Sequence, residues 1–441
     1  MDVQVQRAFI VPAPPSESSS SEVPPTVFDL VAPAYHVTVL FAYAPPNPTN
    51  AALLDALAAT LTRFPLLTAR RLGCRPRAGR PLFVTGEGGA GALVVEAAVP
   101  SPLSDHLPLA PSPDLARLHV PVDKATPHVL LLQINRFACG GLVVASSTHH
   151  QAADGYSMST FFHAWAGAVR ASGAHQPLID RPVVPYGPCA IAPRRPPRCE
   201  FEHRGAEFLS PQDAAIRQPP ARVHPSEIAN LLLHYTSEFV AELKARAGGG
   251  RYTTFEAVSA HLWRKITAAR GRGDDDPSRT ALNVTVNGRA RLGADAVPRG
   301  FFGNVVLTAS SGTSARELAR GSLADAAALV RAGVRARDRR YFQSFIDFGA
   351  LHGGEELEPT VGDEDNVLLP DVASDSWLHL ELHRLDFGCG GRLAGILPAR
   401  SPLDGVVVLI PSLGKGGGVD VFVSLWDKHA EVLRDIAYTM D

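Results

Sequence analysis

Two neighbouring histidines open the run Thr148-His149-His150-Gln151-Ala152-Ala153-Asp154-Gly155, which sets a histidine four residues ahead of an aspartate and then a glycine. Histidine is the side chain whose ordinary pKa best suits removing a proton near neutral pH. Gly155 permits a turn that a residue with a Cβ would resist. The chemistry these residue types suggest is general-base activation of a nucleophile.

Such a base must be held by regular elements on both sides. Val129–Phe137 and Gly141–Ser147 are rich in β-formers and predict two strands, with Cys139-Gly140-Gly141 as the turn between them. The histidines therefore stand at a strand end, where a side chain can be presented at an edge or an interface. The stretch from Met158 to Val169 follows as an amphipathic helix, with Met158, Phe162, Trp165 and Val169 on its apolar stripe. Upstream, Tyr35–Tyr43 predicts a strand and Ala51–Phe64 a helix, with Asn50 as N-cap, Leu53, Leu54, Leu57 and Leu61 at helical spacing, and Pro65 as its stop. Pro12–Pro25, rich in Ser and Pro, predicts a loop.

From Arg181 to about Pro220 the chain loses periodicity and gains prolines, which predicts a crossover between two halves. Beyond it, Ser237–Ala247 predicts a helix stopped by three glycines, and Thr253 with Glu256 forms a capping box ahead of a helix over Phe255–Arg270. Strands are expected at Leu282–Val286, Asn304–Thr308, Trp377–Arg384, Leu393–Leu397, Gly405–Ile410 and Val419–Leu425. A long Ala-rich helix is expected from Ser314 to Arg337, and a last helix over Lys428–Tyr438. The expected organisation is two α/β halves with mixed sheets, residues 1–185 and 223–441, joined by 186–222.

Composition narrows the class. A chain of 441 residues with 45% hydrophobic and 20% charged residues is that of an ordinary globular protein. A formal net charge of −2 gives no general affinity for nucleic acid or an anionic membrane. The five cysteines are scattered with no CxxC pair, which predicts free thiols in a reducing compartment and no metal site. No apolar run nears the roughly 20 residues of a membrane span, and no secretory signal is evident. A cytoplasmic location is therefore expected.

Five segments, in order, resemble the BAHD family of plant acyl-CoA-dependent acyltransferases: LTRFPLLTARR (61–71), LQINRFACGG (132–141), HHQAADG (149–155), VNGRARL (286–292) with FFGN (301–304), and LDFGCG (385–390). Chloramphenicol acetyltransferases and peptide-synthetase condensation domains share HHxxxDG, so the DFGxG element near the C-terminus favours the plant family. The resemblance implies two chloramphenicol-acetyltransferase-like domains with an active-site channel at their interface. It implies a monomer with no cofactor, acyl-CoA being a co-substrate. It assigns His150 as the general base for direct attack on the thioester, without a covalent acyl-enzyme, and gives His149 a structural role. Asp154 would pair with Arg289 of the second domain, and Asp386 of the DFGCG element would belong to the same catalytic constellation, chiefly as a structural residue. The family has Trp where this chain has Cys389, so the oxyanion donor stays unassigned. For CoA, Lys244 and Arg251 with Thr253 and Thr254 at a helix N-terminus are the candidates.

The acceptor is expected from segment 376–388. Members of the family that use shikimate or quinate place an arginine where this chain has His379, and polar residues where it has Val37, Val39 and Phe41. Strand alternation would put Glu381 on the face of His379, inverting the charge of the pocket. This pattern resembles the branch that joins hydroxycinnamoyl- or benzoyl-CoA to amines such as agmatine, putrescine, tryptamine or tyramine. An O-acyltransferase acting on a hydroxyl is the alternative. A binding protein that kept the fold without catalysis is a third reading.

Overall fold

The computed structural model describes residues 1–12, 21–72, 82–123, 125–172, 191–210, 212, 223–298, 300–353, 355, 357–360 and 369–440. Two six-stranded mixed sheets form its frame. The first runs in the spatial order β1 (Gln4–Val11), β6 (Ala92–Val99), β7 (Leu130–Phe137), β8 (Leu142–His149), β3 (His36–Tyr43), β13 (Leu393–Pro398). The second runs β11 (Val306–Ser314), β10 (Arg279–Asn287), β12 (Val372–Ser376), β14 (Val406–Pro411), β15 (Val419–Trp426), β9 (Ile228–Tyr235). Three short strands, β2 (Ser21–Val23), β5 (Phe83–Thr85) and β4 (Arg70–Arg71), make a small third sheet.

The sequence order does not respect the two sheets. Strand β13 comes from the second half of the chain, yet it pairs antiparallel with β3 of the first sheet. Val408, Ile410 and Phe422, on β14 and β15, likewise pack into the core of the first half. In the other direction Phe28, on the short helix α1 (Val27–Val31), stacks with Phe342 and Phe345 of the second half. The halves are thus laced together by apolar contacts, and residues 1–185 and 223–441 are not two closed units. Of the linker 186–222, residues 191–210 and 212 are described, and Ile191 and Phe208 are buried in a core cluster with Phe342 and Phe345 of the second half; most of the expected loop Pro12–Pro25 lies outside the described residues.

The local expectations hold where the periodicity was long. Helix α2 (Asn50–Leu61) buries Leu53, Leu57 and Leu61, although its cap is Thr49, whose hydroxyl accepts from the Ala52 N–H at 3.2 Å, and not Asn50. The Asn50 side chain instead accepts from Arg136 and donates to Glu96. Helix α3 (Gly155–Ser172) buries the whole expected stripe of Met158, Phe162, Trp165 and Val169, and the Trp165 indole donates to Leu53 O at 2.9 Å. Thr253 and Glu256 form the expected capping box on helix Thr254–Ala269.

Two expectations fail. The helix expected from Ser314 to Arg337 is two helices, Ala315–Arg320 and Leu323–Ala336, because Gly321 leaves the helix and the Ser322 side chain caps the second one. Trp377–Arg384 is not a strand. The pairing of β12 ends at Ser376, turns follow, and Leu382–Arg384 is a single 3₁₀ turn. Extended backbone cannot continue there because Glu381 has φ 56°, in the left-handed region.

Candidate active site

The site forms where the end of β8 meets the second sheet. In the register of β3 against β8, Val37 lies opposite Thr148, Val39 opposite Ser146 and Phe41 opposite Val144. Side chains alternate along a strand, so these residues share one face and His36, Thr38, Ser147 and His149 share the other. The second set is spent on structure. Thr38 and Ser147 hydroxyls bond at 2.7 Å, and the His36 and His149 rings meet edge to face at 4.9 Å. Burial, helped by His36 and Arg71, pushes His149 down to about 2, and burial, helped by Arg71, pushes His36 down to about 4. Both rings are therefore neutral at physiological pH. On the first face, Phe41 is sealed against Phe162 in the core, while Val37 and Val39 lie nearer the open end.

His150 stands one residue past β8 and is half-buried. Its backbone is pinned on both sides: its N–H donates to Tyr35 O at 2.9 Å, and its carbonyl accepts from Asn304 Nδ2 at 2.9 Å. Its Nδ1 is buried with no hydrogen-bond partner among the described residues. Asn304 also donates to the buried Asp29 carboxylate at 2.9 Å. Because Asp29 closes the capping box of α1, the N-terminal segment, the FFGN turn and the His150 loop form one connected support.

Asp154 faces the second half of the chain. Its Oδ2 accepts from Arg289 Nη1 at 2.7 Å and from the Val305 N–H at 3.0 Å, and its Oδ1 accepts from the Ser157 N–H at 2.9 Å. Arg289 donates further to Ser157 Oγ at 2.9 Å and to Gly303 O at 2.8 Å, and its guanidinium lies 4.9 Å from the centre of the Tyr156 ring. Asp154 is 2% and Arg289 8% exposed, so the pair is cut off from solvent. A desolvated pair with this many partners fixes geometry more than it adds net stability.

Asp386 is engaged elsewhere. Its Oδ2 accepts from Arg170 of α3 at 2.5 Å and its Oδ1 from the Gly388 N–H at 2.7 Å. Gly388, Cys389 and Gly390 all have positive φ, of 89°, 62° and 83°. Asp386 therefore closes an unusual turn, one that costs a non-glycine residue such as Cys389 some backbone strain. Cys389 is an exposed free thiol there.

Loss of the strand over 377–384 removes the alternation that joined Glu381 to His379. His379 is exposed, and Glu381 pairs with Arg384 at 3.0 Å, three residues on. Of the expected CoA-binding residues, Lys244 and Thr254 line one open cavity of about 540 Å³, together with Ser237, Gly249, Gly250 and Gly418. Thr253 and Arg251 are not part of that lining. Thr253 is committed to its capping box, and Arg251 lies 5.4 Å from the Tyr252 ring centre. Ser157, Asn304, Asp29 and Asp375 were not expected as site residues. Asn304 lies in the FFGN segment that carried the resemblance; Asp29 is a lone acid in the apolar run VFDLV, and Ser157 and Asp375 sit in short stretches with no signal of their own. Among the described residues there is no cluster of His, Cys, Asp or Glu able to hold a metal, and no helix long and apolar enough to cross a membrane.

Comparison with known proteins agrees with this geometry. The Transferase family profile matches residues 2–440. Tryptamine hydroxycinnamoyltransferase 2 of Oryza sativa subsp. japonica is 38% identical, covering 94% of this chain and 93% of its own. Tryptamine benzoyltransferase 1 of the same organism is 38% identical over 97% and 95%, and its putrescine hydroxycinnamoyltransferase 34% over 100% of both. Among solved structures, vinorine synthase superposes with a TM-score of 0.69 at 18% identity, covering 98% of this chain and 96% of that one, which speaks to the fold alone. Two mixed sheets meeting at an HHxxxDG loop define a chloramphenicol-acetyltransferase-like acyltransferase. The chain belongs to the BAHD (Transferase) family of acyl-CoA-dependent acyltransferases.

Proposed function

We propose that this enzyme transfers a hydroxycinnamoyl or benzoyl group from its CoA thioester to an amine, forming an amide by direct attack, with His150 as general base. The observation that carries the reading is the placement of His150. Its ring stands at the sheet junction, its backbone is held by Tyr35 and Asn304, and its Nδ1 is enclosed, which leaves Nε2 to meet a substrate. The ammonium first loses one proton to solvent; the free amine then attacks the thioester carbonyl, the C–N bond forms, and His150 takes a second proton from the nitrogen for delivery to the departing sulfur. Collapse of the tetrahedral intermediate then breaks the C–S bond and releases CoA. Asp154 and Arg289 act as positioning residues for the loop. Lys244 and Thr254 are our candidates for contact with CoA, on the strength of the cavity they share. Support for an amine acceptor comes from relatives named for tryptamine and putrescine.

The test is free-thiol release from p-coumaroyl-CoA and benzoyl-CoA against matched panels of amines and alcohols. We expect kcat/KM for the best amine to exceed that for the best alcohol. Faster turnover of shikimate or another hydroxylated acceptor would replace this reading with the O-acyltransferase one.

A further inference from the structure

Strand β12 alternates between the two sides of the second sheet. Ser374 points to the helix side, where its hydroxyl bonds that of Ser259 at 2.9 Å. Asp375 therefore points the opposite way. Its register partner Val408 packs into the core of the first half, so this side faces the first sheet. The neighbouring strands β10 and β11 bury Val284, Val286, Leu307 and Ala309, whereas Thr285, Thr308 and Ser310, on the alternate positions, are exposed. Asp375 thus stands between Val408, packed in the core of the first half, and an exposed polar strip on β10 and β11. It accepts a hydrogen bond from Thr285, and it lies near enough to His150 for a charge on that ring to act on it. Its Oδ1 is sealed from solvent and has no hydrogen-bond partner among the described residues.

We propose that Asp375 is the anion that receives the positive charge of the acceptor, so that an ammonium or guanidinium group docks between Asp375 and His150. This inference rests on the amine reading and deepens it by naming the residue that distinguishes a cationic acceptor from a neutral one. An enclosed carboxylate oxygen with no donor is costly, and an incoming N–H donor of opposite charge removes that cost. Burial pushes the Asp375 carboxyl above its ordinary range by disfavouring its charged form, which a cation docked beside it would favour again. Glu381, the acid that strand alternation would have chosen, already has Arg384.

The experiment compares tryptamine with tryptophol, its neutral hydroxyl counterpart, by calorimetric binding to the full chain in the presence of CoA and by steady-state KM. In the wild type we expect tighter binding of tryptamine. Asp375→Asn should weaken tryptamine roughly 10- to 100-fold, the range for removing one member of an enclosed charge pair. Tryptophol should move by less than about twofold and Asp375→Glu should recover part of the loss, since the charge is retained. Melting curves report whether each variant folds, and Asp375→Ser replaces the asparagine variant should that one not fold. A neutral variant that binds tryptamine as tightly as the wild type overturns the role of Asp375 while leaving the amine reading in place. A wild type with no preference for the cation, and faster turnover of tryptophol, overturns both.

Discussion

Two loops leave strands that face the same junction, and they are held in opposite ways. The loop after β8 (His150 to Asp154) is fixed from a distance. Asp154 reaches Arg289, 135 residues away in sequence, and His150 O reaches Asn304, 154 away. In the segment after β12 (Trp377 to Gly390) it is the backbone and apolar side chains that reach far: Ser159 and Tyr43 hydroxyls donate to Leu380 O and Leu385 O, and Phe387 packs on Tyr43 and Trp165. Its acids, by contrast, serve the turn and a neighbouring helix: Glu381 pairs with Arg384, and Asp386 accepts from the Gly388 N–H and from Arg170 of α3. Both loops carry a motif with an aspartate, yet only the first aspartate ties the two sheets together. The lesson is that a motif aspartate can serve an interface or a turn, and the identity of its arginine decides which.

The largest effect should follow from the side chain that the first loop exists to present. His150→Ala should lower kcat about 10²- to 10⁴-fold, the range for loss of a general base, while calorimetric CoA-ester binding persists. Near-normal kcat in a folded variant would remove the mechanism.

A smaller effect, spread over stability and kcat, should follow from cutting the tie between the sheets. Removing one member of an enclosed ion pair costs roughly 3–5 kcal/mol. Asp154→Asn and Arg289→Ala should each fall near that range in urea unfolding. The double variant should cost less than the sum by about 0.5–3 kcal/mol, because one contact is being broken twice. Additive effects would mean that the loop is held by something other than this pair.

The smallest effect belongs to the exposed acid of the second segment. Glu381→Gln breaks an exposed pair of a kind worth about 0–1 kcal/mol, and the KM for a cationic acceptor should shift less than about twofold, against the 10- to 100-fold expected at Asp375. A large KM change at Glu381 with none at Asp375 would reverse the comparison and restore the acid three residues before Arg384 as the acceptor contact.

How much of this was legible in advance follows from the range of the forces involved. The stripe Met158, Phe162, Trp165, Val169 repeats with helical spacing and was found buried as expected, and the Thr253–Glu256 box is a local pattern with a local partner. Strand β12, five residues reading VASDS, has too little apolar alternation to be seen, and the adjacent SWLHLELHR has enough to mislead. Its alternation is that of a strand, but the left-handed Glu381 and the pairing limit at Ser376 override it.

The sequence by itself determined the residue types and their order: a base at a strand end, an aspartate after it, an arginine to match it, and segments in the sequence of an acyltransferase family. These are fixed because chemistry and local backbone preference act over a few residues. Only the tertiary structure decided where the two acids of this region lie. Asp375 and Glu381 are six residues apart on the chain and carry the same charge. One stands on a paired strand beside Val408 and the other turns toward an arginine in its own loop, because strand pairing and the packing of β14 against the first core are set by contacts between residues far apart in sequence.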